Sequence, residues 1–358
     1  MVIVPTKKAT AKTSRTPRRR EPPPPPGDGS RRVFILGAGF SYAAGFPLAA
    51  QLLRRVYERL PRGAQTELHR TLEFLYPEVG VAKSIDDALG KVWVEDLMSL
   101  LDVSEQFNAR LPTTWLRSSR IRNLRSQLLV AIADLMIDCQ VDAETRETYA
   151  YVDRFVKRLW PTDTVITFNW DVLLERRLVR NGIAFGYKSR DKGQAIQLLK
   201  LHGSIDWRHG EMLDSVRHLH QVHRQLFQLP WDRLMELRQG GHLNDAPPYV
   251  VPPTFFKDLQ GSTDLEELWV TAFRKVVLAD EIHFCGYRLP PEDMYARSVL
   301  RRAIRQNLKD RNKKGRPAPT ITLVNPDETG EVLILMRKFL DRSVKPETDR
   351  FELSRWGR

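Results

Sequence analysis

Five short segments of this 358-residue chain place small or polar residues where chemistry could occur. The first, within VFILGAGFSYAAGFPL, is the turn Gly37, Ala38, Gly39, Phe40 and Ser41, set between an apolar run and residues that could open a helix. Such a turn can present backbone N–H groups to a pyrophosphate at a helix amino terminus. The other four also close apolar runs: Asn169 and Asp171 in TFNWD, His202 in LKLHGSIDW, Gly286 in HFCGYRLPPED and Asn325 in TLVNPD. A carboxamide can orient a small reactant without adding charge, and an imidazole can move protons near neutral pH. Taken singly, each has an ordinary explanation. Asn169 would cap the helix that begins near Asp171, His202 would be a polar group satisfied by backbone, and one glycine turn is a weak signal.

The elements that must position these residues read as strands. Five apolar runs, at 31–40, 164–171, 196–207, 281–293 and 320–328, have the continuous hydrophobic texture of strands buried on both faces. After the first, Leu48, Leu52, Leu53, Val56 and Leu60 follow helical spacing, so the unit is strand, turn, helix. The stretch from about 61 to 151, with VWVEDLMSLLDVSEQF and NLRSQLLVAIADLMIDCQ, is helical throughout and carries no strand signal. The acids Glu95 and Asp96 beside Trp93 suit the first turn of a helix better than a site. The expected fold is α/β, a doubly wound parallel, Rossmann-like sheet with an inserted helical module. In such sheets ligands bind outside the carboxyl ends of the strands, where strand order reverses. All five tips fall at those ends.

The turn does not match the common nucleotide fingerprints. A dinucleotide-binding dehydrogenase wants Gly-x-Gly-x-x-Gly and an acid about 20 residues on. Here Tyr42 holds the third glycine position, and the acid at a suitable distance, Glu58, lies in a helical pattern. No Gly-Lys-Ser/Thr follows the turn, so no P-loop lysine is offered to a phosphate.

Composition sets further bounds. Residues 1–32 hold nine Lys or Arg against Glu21 and Asp28, more than half of the net charge of +13. With its polyproline run, the segment 1–30 reads as a disordered basic tail ahead of one domain spanning 31–358. A nucleic-acid arm is the weaker alternative. No apolar run reaches the ~20 residues of a membrane helix, and the N-terminal apolar stretch is too short for a signal peptide. Cytoplasmic residence is expected. Two cysteines, Cys139 and Cys285, make neither a disulfide framework nor a four-thiolate zinc site. His209, His218, His220 and His223 lack an acid to complete a ligand set, so no metal is expected.

Together, GAGFSYAAGFP, TFNWD, LKLHGSIDW, PPTFFK, GYRLPPED and VNPD resemble the sirtuin-like domain of bacterial NAD-consuming proteins, many of them anti-phage defence effectors. These motifs occur in the family's order from about residue 31 to 327. The resemblance implies NAD binding by Gly37, Ala38, Gly39, Phe40 and Ser41, with Gly286 on a neighbouring strand tip. It implies catalytic roles for Asn169 and His202, Asp171 near the nicotinamide or its ribose, and Asn325 at the adenosine portion. Phe255 or Phe256 would cover the nicotinamide end.

Two departures from deacylase sirtuins matter. The four-cysteine zinc module is missing, and Leu48, Ala49 and Ala50 stand where those enzymes carry Asp-Phe-Arg. The expected reaction is therefore hydrolysis of NAD to nicotinamide and ADP-ribose. NAD-dependent deacylation or ADP-ribosyl transfer, and a non-catalytic sensor of NAD or ADP-ribose, are the alternatives. Control by homo-oligomerisation, or by a separate ATPase or sensor partner, would keep such an enzyme from exhausting NAD.

Overall fold

The computed structural model describes residues 30–108, 118–187, 195–210, 225–245, 247–251, 263–291, 293–326, 329–340, 345–347 and 349–358. Eleven strands occur among them: β1 (Arg32–Leu36), β2 (Thr164–Thr167), β3 (Phe185–Gly186), β4 (Ile196–Lys200), β5 (Gly203–Ser204), β6 (Trp207–Gly210), β7 (Gln225–Gln228), β8 (Tyr249–Val250), β9 (Glu281–Cys285), β10 (Thr320–Val324) and β11 (Lys345–Glu347). Seven form one sheet in the order β11-β10-β9-β1-β2-β4-β3, and every neighbouring pair is parallel. The four short strands β5 to β8 make two antiparallel ribbons beside it.

The sheet is buried on both faces, which is why its strands read as unbroken apolar runs rather than alternating ones. Along β1, Phe34 and Leu36 pack into one core with the Ala49–Tyr57, Arg62–Leu75 and Ser118–Arg146 helices. Val33 and Ile35 point the other way, into a second core with the Thr263–Leu278, Met294–Lys313 and Glu331–Leu340 helices. This is the doubly wound α/β arrangement expected from the sequence. Eight α-helices and one 3-10 turn lie between β1 and β2, and no strand interrupts them among the described residues.

From β1 the chain proceeds outward through β2 and β4 on one side, then crosses to build β9, β10 and β11 on the other. Strand order therefore reverses between β1 and β9, and the crevice at their carboxyl ends is where such sheets take ligands. The strands foreseen in the sequence are the five central ones. The edge strands β3 and β11, two and three residues long, are too short to show a pattern, and β11 contains Pro346, which a sheet accepts at its edge. No described helix is long and apolar enough to cross a membrane.

Candidate active site

A cleft of about 510 Å³ opens over the carboxyl ends of β10, β9, β1, β2 and β4. That volume falls within the ~300–1,000 Å³ of small-molecule and cofactor sites. One residue or more from each of the five sequence segments lines it: Gly37, Ala38, Gly39 and Ser41 after β1, Asn169 and Asp171 after β2, His202 after β4, Gly286 after β9 and Asn325 after β10. Phe40 is the exception among the candidates. Its ring packs against Tyr151, Phe155 and Phe351 in the first core, and its carbonyl accepts the Tyr151 hydroxyl at 2.6 Å.

The turn after β1 is built from close contacts between strand tips. Gly37 N–H donates to Cys285 O (3.1 Å), Gly39 N–H to Gly286 O (3.0 Å), and Phe40 N–H to Gly37 O (2.9 Å). Three of the turn's five amides are thus engaged within the protein. The glycines serve space: a Cβ on Gly37 would stand 2.7 Å from Tyr287 Cα, and one on Gly39 would stand 2.8 Å from Gly286 Cα. Gly286 itself has φ +61, the left-handed region that favours glycine.

Asn169 is held by a chain of hydrogen bonds reaching across two strand tips. Its Nδ2 donates to Gly37 O at 3.0 Å and to Ser41 Oγ at 3.1 Å, while its backbone N–H donates to Thr167 Oγ1. Both amide protons are used within the protein, and no described residue donates to the carbonyl Oδ1. Ser41 Oγ in turn donates to Asp171 Oδ2 at 2.8 Å, and Asp171 Oδ1 accepts Leu173 N–H. Asn169 therefore does not cap the following helix; Asp171 supplies that bond.

Behind this chain lies a buried ionic group. Lys200, the last residue of β4 and fully enclosed, donates Nζ to the Asp171 carbonyl and to Glu175 Oε1 at 2.7 Å. Burial pushes both carboxyls, Asp171 and Glu175, above their ordinary values, against the opposing charge of Lys200. Asp171 is a brace for Ser41 and Asn169 rather than a side chain reaching into open space.

His202 forms the other wall. Its ring is 3% exposed, packs edge-on against Phe168 (4.9 Å) and places Nε2 2.9 Å from Oδ2 of Asp293. Phe168 stacks on Tyr287 at 4.4 Å and 14°, so rings from the ends of β2 and β9 meet where Gly37 leaves room. Asp293 was not among the residues singled out from the sequence. Its signal is an acid immediately before a helical pattern, which marks a helix N-cap and says nothing of its distance from His202.

Two cations also line the cleft, Arg288 and Arg350, and Arg288 stacks on Trp93 at 4.4 Å. Leu48, Ala49 and Ala50 line it too, as does Met136 from the helical stretch. His218, His220, His223, Phe255 and Phe256 lie outside the described residues. Among the described ones no group of three His, Cys, Asp or Glu could hold a metal ion.

No protein-family model matches the chain, and no curated protein matches it. Among solved structures it is similar to a serine-to-alanine mutant of a Sir2 homologue in complex with ADP-ribose, at 14% identity, TM-score 0.38, covering 90% of this chain and 87% of that one. It is also similar to SIR2 in complex with the inhibitor EX-527, 2'-O-acetyl-ADP-ribose and a deacetylated p53 peptide, at 12% identity, TM-score 0.35, covering 89% and 88%.

Proposed function

We propose that this chain is a sirtuin-like NAD hydrolase, cleaving the bond between nicotinamide and ribose to release nicotinamide and ADP-ribose. The observation that carries the reading is the convergence of the glycine turn, Asn169, His202 and Asn325 on one cleft at the switch point of the sheet. The adenosine end would lie toward Asn325 and the nicotinamide end toward Asn169 and His202.

With most of the turn's amides engaged internally, the diphosphate charge would fall to Arg288 and Arg350. They would stand in for the cation lost where Leu48, Ala49 and Ala50 occupy the cleft.

The chemistry needs little. The C–N bond breaks through an oxocarbenium-like state, its electrons neutralising the pyridinium, so no acid is required to expel nicotinamide. Asn169 Oδ1 orients a water toward the anomeric carbon, and His202 takes the proton that the water loses as its oxygen bonds to that carbon. A role in anti-phage defence, with assembly or a partner protein as the trigger, fits an activity that would drain a cell of NAD.

The test is nicotinamide release from NAD with no acyl or protein acceptor present, wild type against His202→Ala. Release by wild type alone is expected. Turnover that appears only with an acceptor would favour a deacylase or transferase, and equal rates in the two proteins would remove the catalytic assignment.

A further inference from the structure

We propose that Trp93, from the helical stretch between β1 and β2, is a positioning residue that holds Arg288 for the diphosphate of a bound dinucleotide. The inference rests on the hydrolase reading and adds a residue to its binding site. Arg288 lines the cleft, and its guanidinium lies over the indole of Trp93, 4.4 Å from the ring centroid. A tryptophan offers a cation the strongest aromatic face.

The indole is a fixed support. Val92 and Val94, on either side of Trp93, are both buried in the first core, and the Trp93 carbonyl accepts Leu97 N–H at 3.0 Å as the Val94–Asn108 helix begins. The half-buried ring therefore stands on an anchored backbone.

The cation is set by a strained loop. Leu289 has φ +56, an outlier for a bulky residue, and Pro290 follows it, which ordinarily drives the preceding residue toward extended backbone. Its surroundings impose this conformation: the Leu289 side chain is enclosed in the second core, and its carbonyl accepts Arg297 Nη1 at 2.9 Å. Strain of this kind persists where the neighbouring structure over-determines it, and it gathers at ligand sites. Tyr287, on the other side, is buried against Phe168. Arg288 alone of the three is exposed, at the cleft.

Ordering a free arginine on a ligand costs affinity, because the long side chain gives up its rotamers. The stack on Trp93 orders it beforehand. A stack occupies the face of the guanidinium and leaves the N–H groups at its edge for phosphate oxygens.

ADP-ribose affinity is measured by calorimetry for wild type, Trp93→Leu, Trp93→Tyr, Arg288→Ala and Trp93→Leu with Arg288→Ala, and nicotinamide release is followed on the same proteins. Trp93→Leu should weaken ADP-ribose binding about fivefold and raise KM, with kcat within about twofold of wild type. Trp93→Tyr keeps an aromatic face and should stay within about twofold. In the Arg288→Ala background the loss of Trp93 should change affinity less than about twofold, since the two residues act as one unit. A tryptophan that merely supports the fold would weaken binding equally with or without Arg288. That result, or a Trp93→Leu protein that binds ADP-ribose as wild type does, overturns the proposal and leaves the hydrolase reading standing. Wild type that binds no ADP-ribose overturns the reading and the inference together. Should Trp93→Leu not fold, a crystal structure of wild type with ADP-ribose decides. Arg288 on both the indole and the diphosphate supports the proposal, and a diphosphate out of its reach, or held by an Arg288 lifted from the indole, overturns it.

Discussion

Replacing Gly286 by Ala tests whether the cleft depends on the close approach of β1 and β9. The new Cβ would sit 2.4 Å from Phe40 N and 2.5 Å from Gly39 C, both backbone atoms that cannot rotate aside. The residue also has φ +61, which costs an L side chain roughly 1–2 kcal/mol. Overpacking adds about 1–3 kcal/mol, for a total of roughly 2–5 kcal/mol. A domain in the middle of the usual range of about 5–15 kcal/mol stays folded under that load.

The local consequence is larger than the global one. Relief of the clash to ordinary contact requires the tips to part by about 1 Å, and a misplacement of that size costs on the order of 100-fold in rate. It would also break the bonds from Gly37 N–H and Gly39 N–H to the β9 tip. Nicotinamide release and thermal melting on the same preparation measure both effects. Gly63→Ala, where nothing lies within 4 Å, is the control and should behave as wild type in activity. A Gly286→Ala protein with wild-type rate and an unchanged melt would refute the reasoning.

Further outcomes follow from the hydrogen bonds and charges around the cleft. Ser41→Ala removes both the acceptor for Asn169 Nδ2 and the donor to Asp171; kcat should fall at least tenfold, with about 1–3 kcal/mol lost from stability by denaturant titration. Lys200→Met leaves Asp171 and Glu175 buried without their cation, and a loss of about 3–5 kcal/mol is expected at neutral pH. Both carboxyls are raised above their unfolded values of 3.8 and 4.5 by burial, so the stability they carry is present below those values and lost as pH rises through the folded ones. Without Lys200 they rise further, and the melting temperature of the variant relative to wild type should drop from pH 4 to pH 8; a constant difference would contradict this. Arg288→Ala should weaken ADP-ribose binding about tenfold by calorimetry, or roughly 1.4 kcal/mol, and should lessen its salt dependence.

What could be read from the sequence follows from what the chain buries. The five central strands announce themselves because both faces of the sheet are covered, and their tips therefore stand out as the first polar residues after an apolar run. That pattern placed Asn169, His202 and Asn325 at one end of a sheet, where they line one cleft.

The purpose of the glycines was not legible in the same way. Gly37 and Gly39 look like a phosphate turn, yet both of their N–H groups donate to the β9 tip, a neighbour known only from strand order. Phe40 sits in the turn by sequence and in the core by structure, where the Ala38–Ser41 helical turn sets its ring against Tyr151, Phe155 and Phe351. Asp293 and the cations Arg288 and Arg350 reach the cleft through loops whose course no local pattern encodes.

A single dinucleotide must bridge these tips for the proposed hydrolysis to take place. The most direct measurement is a crystal structure of the protein with ADP-ribose. The adenosine is predicted beside Asn325, the diphosphate along Gly37 to Ser41 within reach of Arg288 or Arg350, and the terminal ribose between Asn169 and His202. ADP-ribose bound elsewhere on the molecule, or bound here with its terminal ribose turned away from both side chains, would contradict it.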